Sequence, residues 1–457
     1  MRPRVPAAPV YGVAGVRMMR VDRRGFLFGA GVAAAAAAPA MAQETAAPSP
    51  PSPSTTGPDW EAVRAQFQTA PDQVNMNAML IASHPKPVRA AIDQFRRELD
   101  WRPVTFLEDN NRRLQGYSRA ALARYLGVEA RQAALTDSTT MGAALVYSGL
   151  KLRPGDEILT THQDYYVTHE SLRHAALRNG ATIRRISLYD DIDKVSEPQM
   201  VGRLMSAITP RTRVLALTWV HSSTGLKIPL PAISSALAQV NVGRQEADQV
   251  LLVVDGVHGF GNQDADMRAL GCDVFVAGCH KWLFGPRGTG VIAANAKGWA
   301  ALRPTIPSFV DSGAWGAWIN NGPLPDAADG VLMSPGGFKA FEHVWAIPAA
   351  IDFHEKIGRA QIADRTALLA DQLKAGLEVM PGVRLITPRE RRLSAGIVSF
   401  DVAGLSADGT VRALRQRGVV ASAAPYAVQH VRLTPSIMNS PAEVDRALAA
   451  VREIARA

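Results

Sequence analysis

The chain has 457 residues, enough for two or three domains and a large core, and its 47% hydrophobic and 20% charged content is that of a globular, enzyme-like protein. Its formal charge of +9 gathers at the front, where six arginines stand against one aspartate in residues 1–42; the remainder is too mild and too dispersed to specify a nucleic-acid partner. Two cysteines, Cys272 and Cys279, exclude a disulfide framework and a cysteine-based zinc site, and no other metal site is read from the sequence.

Residues 1–42 read as an export signal. The pair Arg23–Arg24 precedes Phe26 and Leu27, an alanine-rich run extends to Ala38, and Ala40-Met41-Ala42 is a small-x-small cleavage site. The apolar run is too short to span a bilayer, and its mild hydrophobicity suits the twin-arginine translocation machinery. The expected destination is the periplasm or the exterior. Proteins on that route cross already folded, often with a cofactor loaded, in keeping with a chain that has no need of disulfides. Residues 43–58, QETAAPSPPSPSTTGP, are rich in Pro, Ser and Thr, cannot bury a core, and read as a disordered linker.

From Asp59 the pattern alternates between helical periodicity and short apolar runs. RAAIDQFRRELD and SRAALARYLGV are amphipathic helices; EILTT, TRVLALTWV, QVLLVVDG, DVFVAG and GTGVIAA are strands. Strands separated by helices imply an α/β fold, a three-layer large domain with a mostly parallel sheet, over residues 59–325. Past about residue 345 the texture changes. A long helix from VWAIPAAIDFHEKIG onward leads to AGIVSFDV, GVVASAA, HVRLTPS and a final helix, a smaller α+β domain within residues 326–457.

Polar residues crowd the predicted strand ends, which in a parallel α/β sheet meet on one rim. Asp255 and His258 follow QVLLVV; His221, Ser222 and Ser223 follow TRVLALTWV; His280 and Lys281 follow DVFVAGC; Asp164, Tyr165 and Tyr166 follow EILTT; Ser138, Thr139 and Thr140 open a helix. A partly buried lysine can form a Schiff base with a carbonyl cofactor, and a buried aspartate can keep a pyridine nitrogen protonated. Hydroxyls with free N–H groups at a helix start make a phosphate site, and a tyrosine can stack on a ring. Together these are the parts that pyridoxal 5′-phosphate requires. Plainer readings stand beside each: Asp255 as a turn cap, His221 and His258 as hydrogen-bonded rim residues, Thr139 as a helix N-cap, Arg432 of HVRLTPS as partner to a structural carboxylate.

The stretch VVDGVHGFG…DVFVAGCHKWLFGPRGTG resembles the class V aminotransferase-fold enzymes, pyridoxal phosphate-dependent enzymes of fold type I. It is most similar to their isopenicillin N epimerase-like branch, and NMNAMLIASHPKPV, SPGGFKAFEHVWAIPAAIDF and VRLTPSIMNSPAEVDRAL extend the likeness over most of the chain after residue 75. The resemblance implies Lys281 as Schiff-base lysine, Asp255 as partner of the pyridine nitrogen, and His258 beside the cofactor and substrate. Thr139, Thr140 and His280 fall at the phosphate, Tyr165 at the stacking position, Ser222 where many relatives have an asparagine, and Arg432 where the substrate α-carboxylate is held. It also implies a homodimer acting on a small-molecule amino substrate, as an aminotransferase, epimerase or related lyase that tailors a secreted peptide or siderophore. The alternatives are a C–S lyase without a persulfide cysteine, and a non-catalytic binding protein. A persulfide-forming desulfurase is disfavoured, because RGVVASAAPYAVQHVR lacks the cysteine such enzymes carry. The PGGFK segment (Pro335–Lys339) stands where relatives often have a Gly-Thr pair that serves the partner subunit's phosphate, and offers backbone N–H groups and a lysine instead.

Overall fold

The computed structural model describes residues 57–323, 325 and 328–456; the export signal and most of the linker lie outside the described residues. The central sheet has the order β2 (Ala133–Thr136), β8 (Gly290–Ala294), β7 (Val274–Gly278), β6 (Leu251–Asp255), β5 (Thr212–Thr218), β3 (Glu157–Thr161), β4 (Thr182–Ile186). Pairing is parallel from β7 through β4, and β8 runs antiparallel to both of its neighbours. Strands β2, β3, β6, β7 and β8 are buried along their whole length, as a sheet covered on both faces demands. Alternate side chains serve opposite faces: Leu252, Val254 and Phe275 join one core, while Leu251, Val253, Val274 and Val276 join the other. This is the expected three-layer α/β fold with a mostly parallel sheet.

The apolar runs read from the sequence coincide with β3, β5, β6, β7 and β8. Two strands of the central sheet escaped that reading. The short β2 has only four residues, and β4 is an edge strand, TIRRI, half-exposed and interrupted by two arginines. The single long helix expected past residue 343 is a correction. It is three consecutive helices, Phe341–Trp345, Ile347–Ile357 and Arg359–Glu378. Pro348 opens the second helix, and Gly358, at a φ of 99°, separates the second from the third.

The smaller C-terminal sheet is antiparallel, in the order β12 (Ser422–Ala423), β13 (Val431–Leu433), β10 (Val398–Val402), β9 (Val383–Leu385). The GVVASAA run serves two partners. Its first part, β11 (Val419–Val420), pairs with β1 (Val74–Asn75) near the chain's start, and its second part is β12. Val74 and Met76 accordingly sit in the core beneath the small sheet, with Phe400, Leu433 and Val451. Side-chain hydroxyls stitch this sheet to the loop after β5: Thr387 Oγ1 donates to the Thr224 carbonyl at 2.6 Å, and Ser399 Oγ to the Ser223 carbonyl at 3.0 Å. A loop that leaves the central sheet is thereby held against β10 and the segment after β9, and Arg432 lies in the middle of β13, which pairs with β10.

Candidate active site

Register decides the site's layout. Thr218, Asp255 and Val276 are neighbours across β5, β6 and β7, so the loops leaving these three strands emerge together on one rim. Asp255 ends β6, is buried, and accepts a hydrogen bond from the Val257 N–H at 3.1 Å. Burial raises its carboxyl to about 6, against the pull of that hydrogen bond and of Lys281. Lys281 lies just past β7 in a turn closed by Gly285 N–H to the Cys279 carbonyl at 2.8 Å and Phe284 N–H to the Lys281 carbonyl at 2.9 Å. Phe284 takes a φ of 54°, a costly conformation for a bulky residue, and its buried ring is fixed 5.1 Å from that of Phe67. Burial lowers the Lys281 amine to about 8; Asp255 opposes the shift and Arg432 adds to it. His258 is buried with Nε2 at 3.4 Å from Lys281 Nζ, and its Nδ1 accepts the indole N–H of Trp282 at 3.3 Å. Burial, then the charges of Lys281 and Arg432, keep this imidazole neutral.

These groups face a cavity of about 260 Å³; every residue to which the resemblance gives a role lines it, whereas Asp164, Tyr166, His221 and Ser223 of the expected rim do not. Thr139 and Thr140 come from the first turn of helix Thr139–Gly149, which is capped by Ser138; there the Ser138 hydroxyl accepts the Met141 N–H at 3.1 Å. Gly142 lets that helix press against β7, since a Cβ there would lie 2.6 Å from Val276 Cγ1. Tyr165 lines the cavity, whereas Tyr166 is 67% exposed, which separates the two adjacent tyrosines. His280 lines it too, its imidazole lowered to about 4 by burial first and by Lys281 second. Ser222 reaches it from the loop after β5, and Arg432 from β13.

Arg432 is buried and donates to the Ser222 carbonyl at 2.9 Å, the Ala423 carbonyl at 2.9 Å and Ser422 Oγ at 3.2 Å. Among the described residues no carboxylate forms an ion pair with it, so a cation is held out of water with neutral partners only. Three neighbours, Tyr426, Met79 and Leu80, lie in segments the sequence marked but had no individual role assigned. Tyr426 hydrogen-bonds Ser222 Oγ at 2.7 Å, and its ring lies 5.8 Å from that of Tyr165. Met79 and Leu80 of the entry segment supply an apolar wall. Asp164 is structural: it accepts from Thr160 Oγ1, Thr161 Oγ1 and the backbone N–H groups of Thr161 and Thr218, which ties the ends of β3 and β5. His221 stays away from the cavity lining, buried 4.0 Å from Asp164. Lys339 of the PGGFK segment donates to the Pro335 carbonyl of its own loop at 3.1 Å.

Comparison with known proteins accords with this geometry. The family model for "Aminotransferase class-V" matches residues 84–445. The chain belongs to the class V aminotransferase family. It is 29% identical over 402 residues to an isopenicillin N epimerase of Streptomyces clavuligerus, covering 85% of this chain and 96% of that protein. It is 25% identical over 423 residues to a probable cysteine desulfurase of Xylella fastidiosa, covering 87% and 96% respectively. Among solved structures, a C-DES mutant with glycine covalently linked to its PLP cofactor superposes with a TM-score of 0.77 at 22% identity, covering 85% of this chain and 99% of that one. Class V aminotransferase-family proteins are pyridoxal phosphate-dependent enzymes, and the cavity fits that cofactor. Thr139 Oγ1 is buried without a hydrogen-bond partner at a helix N-terminus, where an anion is favoured. Asp255 offers a buried carboxylate suited to a cationic ring nitrogen, and Lys281 a depressed amine. Cys272 and Cys279 are buried away from the cavity, with burial pushing the Cys279 thiol up to about 12 and the Cys272 thiol higher still.

Proposed function

We propose that this class V aminotransferase-family protein is exported by the twin-arginine route and works as a homodimer. Its substrate would be an amino acid, or a peptide or siderophore-type metabolite that carries an amino group beside a carboxylate. The observation that carries this reading is Arg432, a buried guanidinium that among the described residues has no carboxylate partner, facing the same cavity as the Lys281 amine and Asp255. A guanidinium has more N–H donors than its three acceptors take, which leaves it able to grip a substrate α-carboxylate.

When bound, pyridoxal phosphate supplies the electron sink for a bond broken at the substrate α-carbon. The chain's own groups do the rest. Lys281 provides the amine that anchors the cofactor's aldehyde and the base that removes or returns a proton at the α-carbon; at about 8 its pKa lies near working pH, where base and acid forms are both accessible. Asp255 stabilises a protonated ring nitrogen, and that cation in turn offsets the cost of ionising a carboxyl in a buried place. Thr139, Thr140 and the first-turn N–H groups would hold the phosphate, with neutral His280 adding a ring nitrogen; Tyr165 would pack against the cofactor, and Ser222, hydrogen-bonded to Tyr426, would shape the substrate side. Transamination, epimerisation and elimination all begin from this proton removal. The identity to an isopenicillin N epimerase favours proton return as the outcome. A second reading, direct elimination at a C–S bond, draws on the likeness to the cystine C–S lyase C-DES, TM-score 0.75. Exposed Trp315, Trp318 and Phe338 support a covered surface between two copies.

An absorption spectrum of the mature protein beside Lys281→Ala, before and after borohydride, tests the reading. A visible band that borohydride bleaches, leaving the cofactor mass on the Lys281 peptide, is expected, with both features absent from the variant. A colourless wild type that takes up no added pyridoxal phosphate would overturn it. Replacing Arg23 and Arg24 by lysine should keep the protein in the cytoplasm; unchanged export would refute the twin-arginine assignment.

A further inference from the structure

Trp282, next to the anchoring lysine, is explained neither by the fold alone nor by the chemistry above. Its side chain is fully buried, and its outer ring edge rests against the chain at Gly396, where a Cβ would stand 2.6 Å from Cη2 and 2.8 Å from Cζ3. That position has no room for any other side chain, and the indole is held with its N–H 3.3 Å from His258 Nδ1. An indole N–H only donates, so the nitrogen facing it must carry a lone pair. A neutral imidazole then has its proton on the other nitrogen, and that nitrogen is the one 3.4 Å from Lys281 Nζ.

We infer that Trp282 is a positioning residue: its indole N–H fixes His258 as the Nε2–H tautomer, which presents a donor to the Lys281 amine and so favours the amine's free-base form. An ammonium would meet another donor across that contact, whereas a neutral amine accepts from it. The free base is the form that attacks an aldehyde, so the indole acts on the lysine through the histidine between them. This inference deepens the functional reading above and rests on it for its consequence, though the proton arrangement itself needs no cofactor. The other charged and titratable groups facing the pair are Asp255, which favours the ammonium, Arg432, which disfavours it, and His280, itself neutral.

Without the indole N–H, His258 is free to take its proton on Nδ1 and turn a lone pair toward Lys281, which stabilises the ammonium. The test uses the apoprotein, as wild type, Trp282→Phe, and with Trp282 replaced by benzothienylalanine, which keeps the bicyclic shape and has sulfur in place of the N–H. Reductive methylation by formaldehyde and cyanoborohydride is followed at the Lys281 peptide by mass spectrometry across pH, and pyridoxal phosphate uptake is measured in parallel. The midpoint for Lys281 should rise in both variants by about one unit, making modification near neutrality roughly tenfold slower. A wild-type profile in the benzothienylalanine protein would overturn the inference and leave Trp282 as packing. Imidazole nitrogen NMR of wild type gives a check that needs no variant: a protonated Nδ1 on His258 would equally overturn it. If wild type takes up no pyridoxal phosphate while the midpoints still shift, the cofactor reading fails and the tautomer assignment stands.

Discussion

Asp255→Asn should stabilise the apoprotein while destroying its activity, and burial sets the size and pH dependence of the gain. The carboxyl goes from an ordinary 3.8 to about 6 on folding. At about 1.4 kcal/mol per unit, a rise of roughly two units makes the ionised carboxylate cost about 3 kcal/mol in the folded apoprotein. Proton binding sets the direction. Between about pH 4 and pH 6 the folded chain holds this proton and the unfolded chain does not, so stability falls as pH rises through that window. The amide variant has no such loss, and its Oδ1 can still accept the Val257 N–H. Urea denaturation of apo wild type and variant should show the variant ahead by about 3 kcal/mol near pH 8, by roughly half of that near pH 5, and by nothing once both forms are protonated. Loading the cofactor should reverse the order, because a cationic ring nitrogen gives the wild-type carboxylate a partner that the amide lacks. A difference that stays flat across pH, or an apo wild type that is the more stable at pH 8, would refute the argument from desolvation.

Arg432→Ala should lower kcat/KM for α-amino acids by the equivalent of about 2–5 kcal/mol and erase the preference over amines lacking the carboxylate; a preserved preference would mean the guanidinium serves only Ser222, Ser422 and Ala423. Joint replacement of Cys272 and Cys279 by alanine should leave turnover of every accepted substrate within about twofold, since neither thiol ionises near the cavity; a large loss would restore a thiol mechanism. Gly396→Ala places a methyl group 2.6 Å from Trp282 Cη2 and 2.7 Å from Thr366 Cγ2, and should destabilise the protein by about 1–3 kcal/mol in denaturant melts. It should also move the Lys281 midpoint; an unchanged midpoint would show that the indole tolerates displacement.

The sequence carried the elements whose physics is local. Uninterrupted apolar runs bounded by polar residues marked β3, β5, β6, β7 and β8, because a strand buried on both faces has few other options. Asp255 and Lys281 were legible because ionisable residues at the ends of such runs lie on a functional rim, and Thr139 because hydroxyls at a helix start face its free N–H groups. The edge strand β4 was not legible, since a half-exposed margin has no apolar run, and the split of the long helix turned on Gly358, whose positive φ only the neighbouring packing reveals. Between Tyr165 and Tyr166 the sequence offered no choice: adjacent residues differ only in which side faces the cavity. Arg432 lies more than a hundred residues beyond the central sheet, and the hydroxyl contacts of Thr387 and Ser399 with the loop after β5 bring it to the cavity. The order of donors and acceptors through Trp282, His258 and Lys281 is likewise a tertiary fact. Residue types set what each group can donate or accept, and packing alone decides which nitrogen meets which proton.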